Sequence, residues 1–79
     1  MKKENQEEVS VKLIMNNGRA VEIMCSLEMW EDFIYEELVI CIENDKLFNT
    51  EGFNTLKMYI GNEEISVLDC KKVIGICFN

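Results

Sequence analysis

The chain contains no histidine and no proline, one tryptophan, and only eight lysines and arginines against fifteen aspartates and glutamates. Each shortage removes something. Without histidine, neither a Ser-His-Asp nor a Cys-His nucleophile pair can be assembled, and imidazole-containing metal sites fall with them. The cations are scattered over the tail, the first hairpin and the later strands, so no basic stripe forms. Direct nucleic-acid binding, which needs clustered positive charge to neutralise phosphates, is opposed by a net charge of −7. Gly18, Gly52, Gly61 and Gly75 stand alone, so there is no phosphate-cradling loop or dinucleotide fingerprint, and no cofactor motif. The lack of proline together with 48% apolar residues makes the chain too apolar to be disordered.

Seventy-nine residues suffice for one domain. Residues 1–8 read MKKENQEE, expected as a flexible tail of mixed charge, and residues 9–79 are expected to form a single α+β domain. The tail holds no apolar stretch, so it is neither a secretory signal nor a membrane anchor, and a cytoplasmic location is expected. In a reducing compartment Cys25, Cys41, Cys70 and Cys77 are expected as free thiols. They lack the short paired spacing of a zinc site, and Cys41 with one of Cys70 or Cys77 reads as a small buried apolar residue.

Val9, Val11, Leu13 and Met15 alternate with Ser10, Lys12 and Ile14, the period of a half-buried strand. Asn17-Gly18 then predicts a two-residue hairpin into a strand over 20–25. Ser26 is a fitting N-cap for a helix over 27–44, with Glu28, Glu31 and Asp32 in the first turns, where the helix dipole favours negative charge. Leu27, Trp30, Ile34, Leu38 and Cys41 fall on one stripe of this helix and predict its buried face. Met29, Phe33 and Ile40 form a lateral stripe. The run LVICI over 38–42 is also rich enough in β-branched residues to be a strand. Residues 44–54 have turn composition, with Leu47, Phe48 and Phe53 tucked back onto the core. Strands over 56–60, 64–68 and 73–78 follow, with Gly61-Asn62 turning between the first two and a short connection over 69–72. The expected order is β-β-α-β-β-β: an antiparallel sheet of four to five strands with one helix packed across one face.

Eight carboxylates and no cation lie between Ala20 and Asp45: Glu22, Glu28, Glu31, Asp32, Glu36, Glu37, Glu43 and Asp45. Such a face steers association with a basic partner, whereas a merely solvated acidic face serves solubility and needs none. The candidate contact residues are Glu28, Asp32, Glu36 and Glu43 opposite the core stripe, with Tyr35 among them. Neighbouring carboxylates such as Glu36 and Glu37 diverge by about 100° on a helix and share no proton, which opposes a catalytic reading. Trp30, Phe33 and Tyr35 at helical spacing read as core or protein interface rather than a base-stacking platform.

The stretches VKLIMNNGRAVEIM over 11–24, SLEMWEDF over 26–33 and EEISVLDCKKVIGI over 63–76 resemble small β-β-α-β-β proteins of phages and mobile elements of low-GC bacteria. The resemblance is one of hydrophobic pattern across residues 9–78, and no family site residue comes with it. It implies an accessory protein that acts by binding, as anti-CRISPR inhibitors do when they occupy a nucleic-acid-binding groove. The expected function is therefore a non-enzymatic binding module presenting its acidic helix to a basic surface of a larger protein. Carboxylates on successive turns are about 5 to 6 Å apart, a spacing of the order of neighbouring phosphates on a single strand. The alternative is a small structural or regulatory homodimer, paired through a sheet edge or the lateral stripe.

Overall fold

The computed structural model describes residues 7–53 and 55–78; most of the tail assigned to residues 1–8 lies outside them. Among the described residues seven strands form two sheets, and one long helix packs on the larger. β1 (Glu8–Met15), β2 (Ala20–Ser26), β4 (Lys57–Ile60), β5 (Glu63–Ile65) and β7 (Val73–Phe78) form a five-stranded antiparallel sheet in the order β5-β4-β2-β1-β7. β3 (Leu47–Asn49) and β6 (Val67–Asp69) pair separately. The α+β class and the antiparallel sheet are as the sequence predicts. The strand expected over 64–68 is instead divided at Ser66 between β5 and β6, and Leu47 to Asn49 form a strand where a turn is expected. Both differences arise because the chain leaves the large sheet after Ile65 and makes the small one.

Glu8 pairs with Ser26, and the Glu7 carbonyl accepts the Leu27 N–H at 2.8 Å, so the domain begins before residue 9. The first hairpin also differs from expectation. The Gly18 N–H donates to the Met15 carbonyl at 2.9 Å and the Met15 N–H to the Arg19 carbonyl at 2.8 Å, giving a three-residue loop in which Gly18 alone takes positive φ, at 88°. This is a type I turn closed by a glycine bulge, which asks nothing unusual of Asn17.

Opposed residues of an antiparallel pair share a face. Val9, Val11 and Leu13 with Cys25, Ile23 and Val21, extended by Met58 across from Ile23, therefore make one apolar face, and all seven are buried. The opposite face is mixed, with Ser10, Lys12 and Ile14 across from Met24, Glu22 and Ala20. There the Ser10 hydroxyl donates to Glu22 Oε2 at 2.5 Å.

The helix, α1, runs over 27–43 and settles LVICI as helical. It is not uniform: Leu27–Met29 and Tyr35–Glu43 are α-helical, and Trp30–Ile34 form a π turn in which the Tyr35 N–H reaches the Trp30 carbonyl. An α-helix advances 100° per residue, so a four-residue spacing drifts by about 40° each time it repeats. The wider π turn takes up that drift and holds Trp30, Ile34, Leu38 and Cys41 against the sheet, all buried. Leu27, expected to be buried, is half-buried at the junction with β2 and packs on the edge of the core. The Ser26 hydroxyl accepts the Met29 N–H at 3.1 Å, the expected N-cap.

The C-terminus of α1 closes through Asp45, at φ 55°. The Lys46 N–H donates to the Cys41 carbonyl at 2.8 Å and the Asp45 N–H to Ile42 at 3.4 Å, the Schellman pattern with aspartate in glycine's usual place. The small sheet then brings Phe48 and Leu68 under this end of the helix, where Phe48 stacks with Phe53 at 6.2 Å.

Candidate protein-binding surface

Six carboxylates, Glu28, Glu31, Asp32, Glu36, Glu37 and Glu43, lie on α1, and all are exposed. The π turn that straightens the core stripe also tightens the acidic one, because Glu28, Asp32 and Glu36 repeat at the same four-residue interval as Trp30, Ile34 and Leu38. The first turns suit the helix dipole. The last turn does not: it contains Glu43 and no basic residue, so negative charge sits where the dipole is itself negative.

Tyr35 is placed differently from expectation. The π turn rotates it toward the flank of the core, where its ring lies 5.5 Å from that of Trp30, and it remains half exposed. It therefore borders the acidic stripe rather than standing within it. Phe78, at the end of β7, stacks on the same Trp30 ring at 5.7 Å with 24° between the planes. The lateral stripe separates too: Met29 packs on the core, whereas Phe33 and Ile40 are exposed.

β7 adds apolar surface that alternation along the sequence does not reveal. Ile76 lies across from Leu13 and Phe78 across from Val11, on the core side of the sheet, yet both are exposed at the sheet's margin. Between the pairs Ile14↔Gly75 and Met15↔Val73 the register shifts, leaving Ile74 as the extra residue of a bulge. Ile74 is 69% exposed, the highest value of any large apolar side chain described. The sequence signal for these residues is VIGICF itself, an apolar run with no polar alternate.

The thiols are placed for packing. Cys25, Cys41 and Cys70 are buried and Cys77 is exposed, all four unpaired. Burial, with the charge of Glu8 adding to it, pushes Cys25 up to about 11. Burial likewise pushes Cys70 up to about 11, followed by the nearby Cys41 and Asp69. The Cys41 thiol is raised by burial and then by Glu37, toward whose Oε2 its Sγ is directed at 3.8 Å. Thiols held protonated in this way are poor nucleophiles. Among the described residues no three Cys, Asp or Glu side chains converge as a metal site. An open depression of about 360 Å³ on the mixed sheet face is lined by Glu8, Met24, Thr55, Lys57 and Tyr59.

The class defined by this geometry is an α+β domain with a single acidic helix laid on an antiparallel sheet. The chain matches no protein-family model, and no curated protein or solved structure matches it. Among the described residues no helix is long and apolar enough to cross a membrane.

Proposed function

We propose that the protein is a non-enzymatic binding module whose acidic helix docks onto a basic, nucleic-acid-binding surface of a larger protein, in the manner of an anti-CRISPR-type inhibitor. The observation that carries this reading is that α1 presents six exposed carboxylates and no cation, the last of them in a final turn where the dipole disfavours negative charge. Charge added only for solubility works equally well with both signs interspersed, and a lysine in the last turn would also stabilise the helix. Glu28, Asp32, Glu36 and Glu43 form the charged contact. Tyr35 at its border supplies the large, partly exposed ring that such interfaces use as an anchor. Clustered carboxylates act chiefly on the rate of encounter, and salt screens them over about 8 to 10 Å.

The experiment is affinity capture from the source cells with wild-type chain and with a chain carrying Asp32→Lys, Glu36→Lys and Glu43→Lys, followed by mass spectrometry. All three side chains are exposed, so the reversed chain keeps its fold by circular dichroism. The reading requires a basic protein retained by the wild type, lost with the triple variant, and bound more slowly as salt rises. Equal retention by both chains would reduce the acidic face to a solubility feature.

A further inference from the structure

We infer that β7 is the pairing edge for a second copy of this chain, joining two five-stranded sheets into one across a two-fold axis. The inference does not depend on what the acidic helix binds. Among the described residues β7 has a neighbour on one side only, β1, so its six residues present an unpaired row of backbone donors and acceptors. Sheet edges open to solvent are ordinarily blunted by charge, proline, brevity or a bulge that twists the strand away. β7 contains no charged residue and no proline, and its bulge turns out an isoleucine where a lysine would protect. Ile74 at 69%, Phe78 at 51% and Ile76 at 38% exposure lie along this one strand, and Phe78 leads directly to the rings of Trp30 and Tyr35.

The charge distribution selects the occupant. With a net charge of −7, two copies repel wherever their carboxylate faces meet. β7 avoids this, since it holds no carboxylate and is preceded by Lys71 and Lys72, both exposed, in a short 3-10 turn. In antiparallel pairing centred on Ile76, that residue faces its own copy and Phe78 faces Ile74, so apolar side chains meet on a common face. Each Lys71-Lys72 pair then runs past the partner's Phe78, toward the helical turn that starts at Trp30 and continues with Glu31 and Asp32. The contact is complementary to itself, as a two-fold interface must be. A basic strand from another protein would meet the same two lysines and be repelled by them.

Sedimentation equilibrium of the full chain from low to high micromolar concentration tests this. The mass should rise from the 9.2 kDa of one chain to twice that value. Ile74→Lys places a charge at the most exposed position of the strand and should give a monomer at every concentration, with circular dichroism unchanged. Ile40→Lys, on the helix, should leave the dimer intact. A readout that needs no variant is crosslinking of Cys77, the exposed thiol among the four cysteines, by a short bismaleimide. In the proposed register Cys77 lies diagonally from its copy at about 7 to 8 Å, so covalent dimer should accumulate. A wild-type chain that stays monomeric throughout overturns the inference. So does a dimer that survives Ile74→Lys, or one in which Cys77 does not crosslink.

Discussion

The two edges of the large sheet are built in opposite ways. β5 offers three residues, of which Glu63 and Glu64 are exposed carboxylates, and the chain bends away at Ser66 before the edge can lengthen. β7 offers six, with Ile74, Ile76 and Phe78 exposed and no charge among them. The first is an edge protected by brevity and by like charge that repels a second strand. The second has none of these protections, although the same chain supplies fifteen carboxylates to spend elsewhere. Protection at one edge and its absence at the other is the pattern left when a single edge is reserved for contact.

The largest effect should come from removing the ring on which the β7 end rests. Trp30 is buried beneath both Tyr35 and Phe78, and Trp30→Ala is expected to destabilise by about 3 to 5 kcal/mol in urea titration, with the end of β7 loosened as well. Alkaline pH should instead affect both edges together, because Cys25 and Cys70 support the shared core. Their pKa is raised on folding, from an ordinary 9.0 to about 11, so the neutral thiol is favoured in the native state. Their contribution is fully present below pH 9 and is lost as pH rises through 11. Urea midpoints should therefore hold up to pH 9 and fall above it. At pH 8 a thiol reagent should modify Cys77 rapidly and the other three only on unfolding.

A subtler change would erase the difference between the edges. Replacing both carboxylates of β5, with Glu63→Val and Glu64→Ile, should open a second pairing edge and convert the proposed β7 dimer into larger assemblies, seen as a rise in sedimentation mass. The smallest effect is expected far from either edge. Asp45→Gly relieves the left-handed conformation at the helix C-terminus and removes a carboxylate from the negative end of the dipole, a stabilisation of about 1 kcal/mol or less.

Much of the larger sheet is legible in the sequence because its information is local. The alternation from Val9 to Met15, the Ser26 cap and the stripe from Trp30 to Cys41 each specify their own element. Gly61-Asn62 likewise gives a two-residue turn in which Gly61 takes φ 61°. The small sheet is not legible. β3 and β6 are three residues each, too short for a period, and exist because Phe48 and Leu68 meet across 20 positions of chain. The π turn escapes detection for another reason: it is a choice of hydrogen-bond partner that the sequence of residues 30–34 does not announce, and it moves Tyr35 to the border of the acidic stripe. Glu28, Asp32, Glu36 and Glu43 are readable as an exposed acidic series, since charge on an amphipathic helix is read directly. That β7 is an outer strand depends on the strand order and is visible only once β1 is seen between β2 and β7.

Hydrogen exchange at the two edges, followed by mass spectrometry at low and high protein concentration, tests the contrast between them most directly. Amides of Val73–Phe78 should gain protection as concentration rises, while those of Glu63–Ile65 exchange at the same rate throughout. Exchange in Val73–Phe78 that is independent of concentration, or a gain shared equally by both edges, would contradict it.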